Sequence, residues 1–237
     1  FNKRFSKTSD KKRILVAVPT TAGSGAEVTS NAVVYINKKK YSVEDPQVKP
    51  DKFILNPLFV KNNPIKLRAA SGFDTFAQSV ESMFSIKSSK KSLNFSIQSL
   101  KLTLKSFLNY LRNKNIRQSS EDMIRAANLS GEAINLTKTI SPHAVSYPFT
   151  SHFGISHGFA VALTFNEFLE HIYYNREDNL SQFNLNERFK ILFNLTETNN
   201  FEEFRKFLNN FKIKSGIKDT FKENNINISK KINLIMN

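Results

Sequence analysis

"PIKLRAASGFDTFAQSVESMFS", residues 64–85, decides how the rest of the chain is read. Proline has no N–H to lose in a first helical turn, so Pro64 suits a helix start. The residues behind it carry apolar side chains on a 3.6-residue period, which predicts an amphipathic helix. Asp74 and Gln78 stand at i and i+4, on one face of that helix and within reach of the same ion. Asp74 also sits two residues after Gly72, where a plain turn or cap residue is the competing reading.

Upstream of Pro64 the grammar is different. The runs ILVAV (14–18) and AVVYI (32–36) are β-branched and are broken by a Gly-rich loop and by Pro19, Pro46, Pro50 and Pro57. This reads as strands and turns, with NKKK at 37–40 as a hairpin turn. Downstream the chain is helical. SLNFSIQSLKLTLKSFLNYL (92–111) is apolar at 93, 97, 100, 104, 107, 108 and 111. Ser119 with Asp122 resembles a capping box ahead of a third helix, EDMIRAANLSGEAINLT. Ser141-Pro142 reads as a cap and first turn, and residues 158–174 as a further helix. The pattern predicts an α/β part over 1–62 and a helical part over 63–237.

The 237 residues include no cysteine, so a metal would need His, carboxylate or amide ligands. The net charge of +15 invites a nucleic-acid reading. The lysines are scattered over every segment, however, and the 22 phenylalanines are spaced as in helix cores rather than as a stacking platform. No nucleic-acid partner is expected. FNKRFSKTSDKKR lacks the apolar core of a signal peptide, and ILVAV is too short to span a bilayer. The expectation is a cytoplasmic protein without a membrane partner.

Three of the four histidines, His143, His152 and His157, lie in SPHAVSYPFTSHFGISHG (141–158). His143 and His157 each open a predicted helix, and Gly154 and Gly158 are expected to permit close backbone approach. Two imidazoles under-coordinate a metal. Adding Asp74 gives two His and one carboxylate, a facial set with open positions; structural or exposed histidines are the plainer reading. A second stretch, PTTAGSGAEVTSN (19–31), is no Walker A loop and fails the full G-x-G-x-x-G pattern. Its hydroxyls and backbone N–H groups suit a phosphate, ribose or amide, or an ordinary polar turn.

In this order the segments resemble the iron-containing (group III) alcohol dehydrogenase family. Pro19 to Thr29 match its P-T-T-x-G-[ST]-x-x-E-x-[ST] loop, and Gly72 to Phe76 its G-[MF]-D-x-[LF] helix. His143, Tyr147-Pro148 and His157-Gly158 match its H-x-x-x-[HY]-P and HG motifs. The resemblance runs over roughly residues 14–170. It implies the end of a Rossmann-like α/β domain followed by the helical metal-binding domain of the dehydroquinate synthase-like fold. The family's Gly-Gly-Gly-Ser pyrophosphate loop is absent, so the chain is expected to be truncated at its N-terminus and cut short near Asn237. Alone, it is expected to bind cofactor poorly. A Gly-Gly-Gly-Ser loop in the upstream reading frame would test that.

The resemblance further implies a divalent metal (iron or zinc) and NAD(H) or NADP(H), serving reduction of a small aldehyde to an alcohol. Asp74, His143 and His157 would be ligands. Gln78 replaces the family's usual histidine, as a weak fourth ligand or a hydrogen bonder to bound water. Thr20, Thr21, Ser24 and Lys40 would serve the cofactor, and Tyr147, where many members have histidine, would relay a proton. His152 is a bystander. Ser71 to Ser82 and Thr139 onward look like the phosphonoacetaldehyde reductase branch, in which Lys138 and Thr139 would meet a phosphonate. Lys138 also reads as a cation at a helix C-terminus. Another alcohol or polyol dehydrogenase, a related lyase and an inactive fragment stay open, and the family allows a homodimer.

Overall fold

The computed structural model describes residues 13–37, 39–178, 180–224 and 226, without the side chains of Tyr35, Lys39, Lys40 and Asp178. Strands come first. β1 (Val16–Ala17) pairs in parallel with β4 (Lys52–Phe53), and β2 (Asn31–Ile36) pairs antiparallel with β3 (Lys39–Glu44). The hairpin expected around 37–40 forms, with Asn37 at φ 49° in the connection. The ILVAV run yields only the two residues of β1, and Ile14, Leu15, Val16 and Val18 are exposed.

Helices follow: α1 (Leu58–Lys61), α2 (Ile65–Phe84), α3 (Lys90–Leu111), α4 (Ile116–Thr137), α5 (Ser141–Phe153), α6 (His157–Tyr174), α7 (Leu185–Thr196) and α8 (Phe201–Lys214). This α/β remnant followed by a helical body is the predicted fold class. α2 starts behind Pro64 as expected but is not amphipathic over its length, because residues 72–84 are buried on every side. It is the central helix of the body. Polar side chains on it survive burial by finding partners: Thr75 Oγ1 donates to Ala22 O, and Ser79 Oγ to Thr75 O. Phe73 and Phe76 pack with Phe165, and Phe76 and Phe107 pack with Phe211.

α3 follows its apolar reading only in part. Leu100, Phe107 and Leu111 are buried, but the buried face also carries Ser92, Ser96, Ser99, Thr103, Ser106 and Tyr110, while Leu93, Ile97, Leu104 and Leu108 are only half-buried. Small hydroxyl residues let α3 approach α2 and α4 closely: Ser99 Oγ donates to Ala126 O at 2.8 Å and receives Ser79 Oγ at 2.8 Å. Ser89 caps this helix, in a capping box with Ser92.

The capping box expected at Ser119 and Asp122 does not form. α4 starts at Ile116, behind Asn115 in the left-handed region at φ 45°. Ser119 instead bonds back to Asn115 O, and Asp122 is turned to α3, where Ser106 Oγ donates at 2.6 Å and Lys105 Nζ at 2.9 Å. Burial pushes the Asp122 carboxyl up, but the bonds from Ser106, Lys105 and Gln118 outweigh it and hold the group below 3.8. A depressed carboxyl stabilises the fold above its unfolded pKa and loses that contribution as pH falls through the folded value. Asp122→Ala is expected to cost about 2–3 kcal/mol at neutral pH. In urea melts its deficit should shrink toward zero on acidification below pH 4 (about the unfolded carboxyl pKa); a deficit independent of pH would contradict this.

Two glycines fix the Thr/Gly loop to the helical body. Gly25 is at φ 60°, and a Cβ there would meet Ala127 O and Gly131 Cα, both at 2.5 Å. A Cβ on Gly131 would in turn meet Gly25 O at 2.5 Å. The loop therefore lies backbone-to-backbone on α4.

Candidate metal centre

Three helices bring the predicted ligands together. α2 supplies Asp74, α5 supplies His143 in its first turn, and α6 starts with His157. Asp74 Oδ1 lies 3.0 Å from His143 Nε2 and 3.8 Å from His157 Nε2. One ligand atom from each of the three residues lies within 4.8 Å of the others. Two imidazoles and one carboxylate converging in this way fit a divalent ion such as zinc or iron, with coordination positions left open.

The α5–α6 corner that aims the two imidazoles has distinct causes at its two glycines. Gly154 ends α5 at φ 68°, and a Cβ there would touch nothing within 4 Å. Its role is conformational, not the close approach expected from the sequence. Gly158 does make that approach: a Cβ would meet Ala70 O at 1.9 Å. The edge-on His143 and His157 rings sit 5.2 Å apart, and Tyr147 stacks on His157 at 5.7 Å.

Gln78 stands beside the ligands, with its amide engaged elsewhere. Nε2 donates to Asp74 Oδ2 at 3.2 Å, and Ser130 Oγ donates to Oε1 at 3.0 Å. Its oxygen thus faces Ser130, and its nitrogen steers the second carboxylate oxygen of Asp74. The electrostatics are strongly coupled. Burial pushes Asp74 up, but the bond from His143 and the charges of His157 and His143 hold it below the usual carboxylate range. Burial likewise pulls His143 down, yet the Glu81 charge and the bonds to Asp74 and Glu81 raise it to about 10. Glu81 itself is pushed up by burial, partly offset by His143.

The three ligands open onto a cavity of about 370 Å³ that also takes in Ser24, Gln78, Lys138, Thr139 and Tyr147. Thr20 and Thr21 are not in its wall; Thr20 is exposed and its carbonyl accepts from Asn63 Nδ2. Lys40 pairs through its backbone with Tyr35, and its side chain lies outside the described residues. His152 lies in the last turn of α5, away from the cavity wall. Lys138 follows α4 at φ 63° and forms an ion pair with Glu44 of β3 at 2.9 Å. The sequence reading missed Glu81, although its seven-residue spacing from Asp74 marks the same helix face. It read the hairpin but not its place at the site, where Asn31 and Val33 close one side of the cavity. Among the described residues no helix is long and apolar enough to cross a membrane.

Residues 68–236 match the C-terminal model of the Fe-containing alcohol dehydrogenase family, and residues 2–57 match the iron-containing alcohol dehydrogenase model. The phosphonoacetaldehyde reductase of Streptomyces viridochromogenes is 32% identical over 159 residues, 66% of this chain and 40% of the relative. Long-chain-alcohol dehydrogenase 1 of Geobacillus thermodenitrificans is 29% identical over 65% of this chain and 39% of its own length. This chain therefore spans about 40% of the length of these relatives. Among solved structures, sulfoacetaldehyde reductase from Bifidobacterium kashiwanohense in complex with NAD+ superposes with TM-score 0.77 at 26% identity, over 92% of this chain and 56% of that one. The alcohol dehydrogenase from Oenococcus oeni shares the fold with TM-score 0.86 at 24% identity, over 99% and 61%.

Proposed function

Because the chain belongs to the iron-containing alcohol dehydrogenase family, we propose that it serves reduction of a small aldehyde to its alcohol with NADH or NADPH. The observation that carries this is the convergence of Asp74, His143 and His157 on the wall of one cavity. These three would hold a divalent ion, with Gln78 orienting Asp74 by hydrogen bond. When bound, such an ion supplies Lewis-acid polarisation of a carbonyl oxygen. A nicotinamide held on the Ser24 side would supply the hydride for the carbonyl carbon, and the oxygen would need a proton. Tyr147, in the cavity wall against His157, is assigned to deliver that proton. Ser24 faces the cavity for the nicotinamide side, while Thr20 and Thr21 would have to act from outside its wall.

The substrate is proposed to be a two-carbon aldehyde with an anionic head, such as phosphonoacetaldehyde. Lys138 and Thr139 supply a cation and a hydroxyl in the same cavity, and two relatives are named for anionic two-carbon aldehydes. A neutral alcohol substrate is the second reading, favoured by the ion pair that already occupies Lys138 with Glu44. Lys138→Ala separates the two. A charge-assisted bond to substrate is worth about 1.5–3 kcal/mol, so kcat/KM for phosphonoacetaldehyde should fall roughly 10- to 100-fold. The rate on acetaldehyde should stay nearly unchanged. Equal wild-type rates on the two aldehydes would sink the anionic-head proposal.

A further inference from the structure

The proposed reaction leaves one ionisable residue on the ligand face of α2 without a task. Glu81 lies seven residues beyond Asp74, two helical turns along the same face, and is fully buried. A carboxylate taken wholly out of water is costly unless its oxygens are hydrogen-bonded. Both are. Oε1 stands 2.5 Å from His143 Nδ1, and Oε2 accepts the Ile140 N–H at 2.7 Å. Ile140 is the cap residue immediately before α5, so Glu81 grips the start of that helix and the ring three residues beyond the cap.

We propose that Glu81 is the positioning residue of the metal centre, holding the His143 ring so that its Nε2 is aimed at the site beside Asp74. An imidazole that donates Nδ1–H to a carboxylate must present Nε2 as its donor atom to a metal. The backbone bond to Ile140 fixes the carboxylate plane and through it the plane of the ring. His157 is held differently: its Nδ1 faces the Ser146 hydroxyl at 3.5 Å, and its side chain is 36% exposed. His143 is therefore the anchoring imidazole and His157 the adaptable one. The asymmetry comes from α2, which carries both the carboxylate ligand and the group that orients the first histidine.

The inference rests on the metal-dependent reading above, and its test keeps the two apart. Metal-free wild-type protein, Glu81→Gln and Glu81→Ala are titrated with Zn²⁺ against a chelator of known affinity, and the Co²⁺ forms are compared by visible absorption. Zinc affinity should fall about 10- to 100-fold in Glu81→Ala. The Co²⁺ band should shift, and Glu81→Gln, whose amide oxygen still accepts one N–H, should recover part of both. Wild-type affinity and an unaltered Co²⁺ band in both variants would overturn the role of Glu81 while leaving the metal centre standing. A wild-type protein that binds no Zn²⁺ would overturn the metal reading itself. If Glu81→Ala does not fold, the near-isosteric Gln variant decides. Loss of helical circular dichroism in that variant too would show a purely structural role and overturn the proposal.

Discussion

Gly158→Ala is expected to be the most damaging single methyl in this protein. The added Cβ would lie 1.9 Å from Ala70 O and 2.8 Å from Ala70 C, and both partners are helix backbone. No rotamer change can relieve such a contact, so α6 must move away from α2. Overpacking of ordinary cores costs about 1–3 kcal/mol, and a backbone-to-backbone clash belongs at or above the top of that range. The functional effect should be larger still. Ala70 is one turn before Asp74, and Gly158 adjoins His157, so the contact sets the 3.8 Å between carboxylate and imidazole. A displacement on the order of 1 Å in such a constellation typically costs about 100-fold in rate. Melting temperature and metal content after gel filtration are the measurements. A variant that melts and retains metal like wild type would show that the helices are not in the contact described.

Asp74→Ala is expected to empty the centre. It removes the only carboxylate of the three-donor set and leaves two imidazoles, which under-coordinate a divalent ion. Zinc affinity should fall by more than about 100-fold, beyond the loss typical of an outer partner. Gln78 cannot fill the gap without breaking its bond from Ser130. The companion variant Gln78→Ala should therefore lose less than about tenfold, as expected for a residue that orients a ligand rather than being one. Elemental analysis of the three proteins purified side by side reads this out. If Gln78→Ala empties the site as fully as Asp74→Ala, then Gln78 is a ligand.

What the sequence disclosed follows from what is local. The start of α2 could be read from Pro64, and the shared face of Asp74 and Gln78 from their spacing, because helix geometry alone fixes both. The pairing of His143 with His157 could be raised from the residues but was singled out only by resemblance, since the α5–α6 corner that joins them depends on Gly154 and on the Ala70 contact. Local rules failed where tertiary partners outbid them. Ser119 and Asp122 have capping-box spacing, but Asp122 finds Ser106 and Lys105 on the neighbouring helix, and the helix starts a turn earlier. On α3 the apolar stripe shares the buried face, beside Leu100, Phe107 and Leu111, with serines, because close helix approach needs small side chains. Glu81 carries no local signal of its role; only the arrival of His143 and Ile140 from about 60 residues away gives it a purpose.

The contact between Gly25 and Gly131 makes α4 a ruler. The loop bearing Ser24 is pinned to α4 at Gly131, and Lys138 stands seven residues further on, where the helix has just ended. Two helical turns, about 10 Å, therefore separate the loop's anchor point from Lys138, and no side-chain adjustment alters that length. Under the proposed function, substitutions along the lining would change which head group is held, but not how far it stands from the loop. Changing the reach would take an insertion in α4, and a single added residue would also swing Lys138 by about 100° around the helix axis. Under the proposed function, substrate length would be set by helix geometry, and substrate charge by one replaceable lysine.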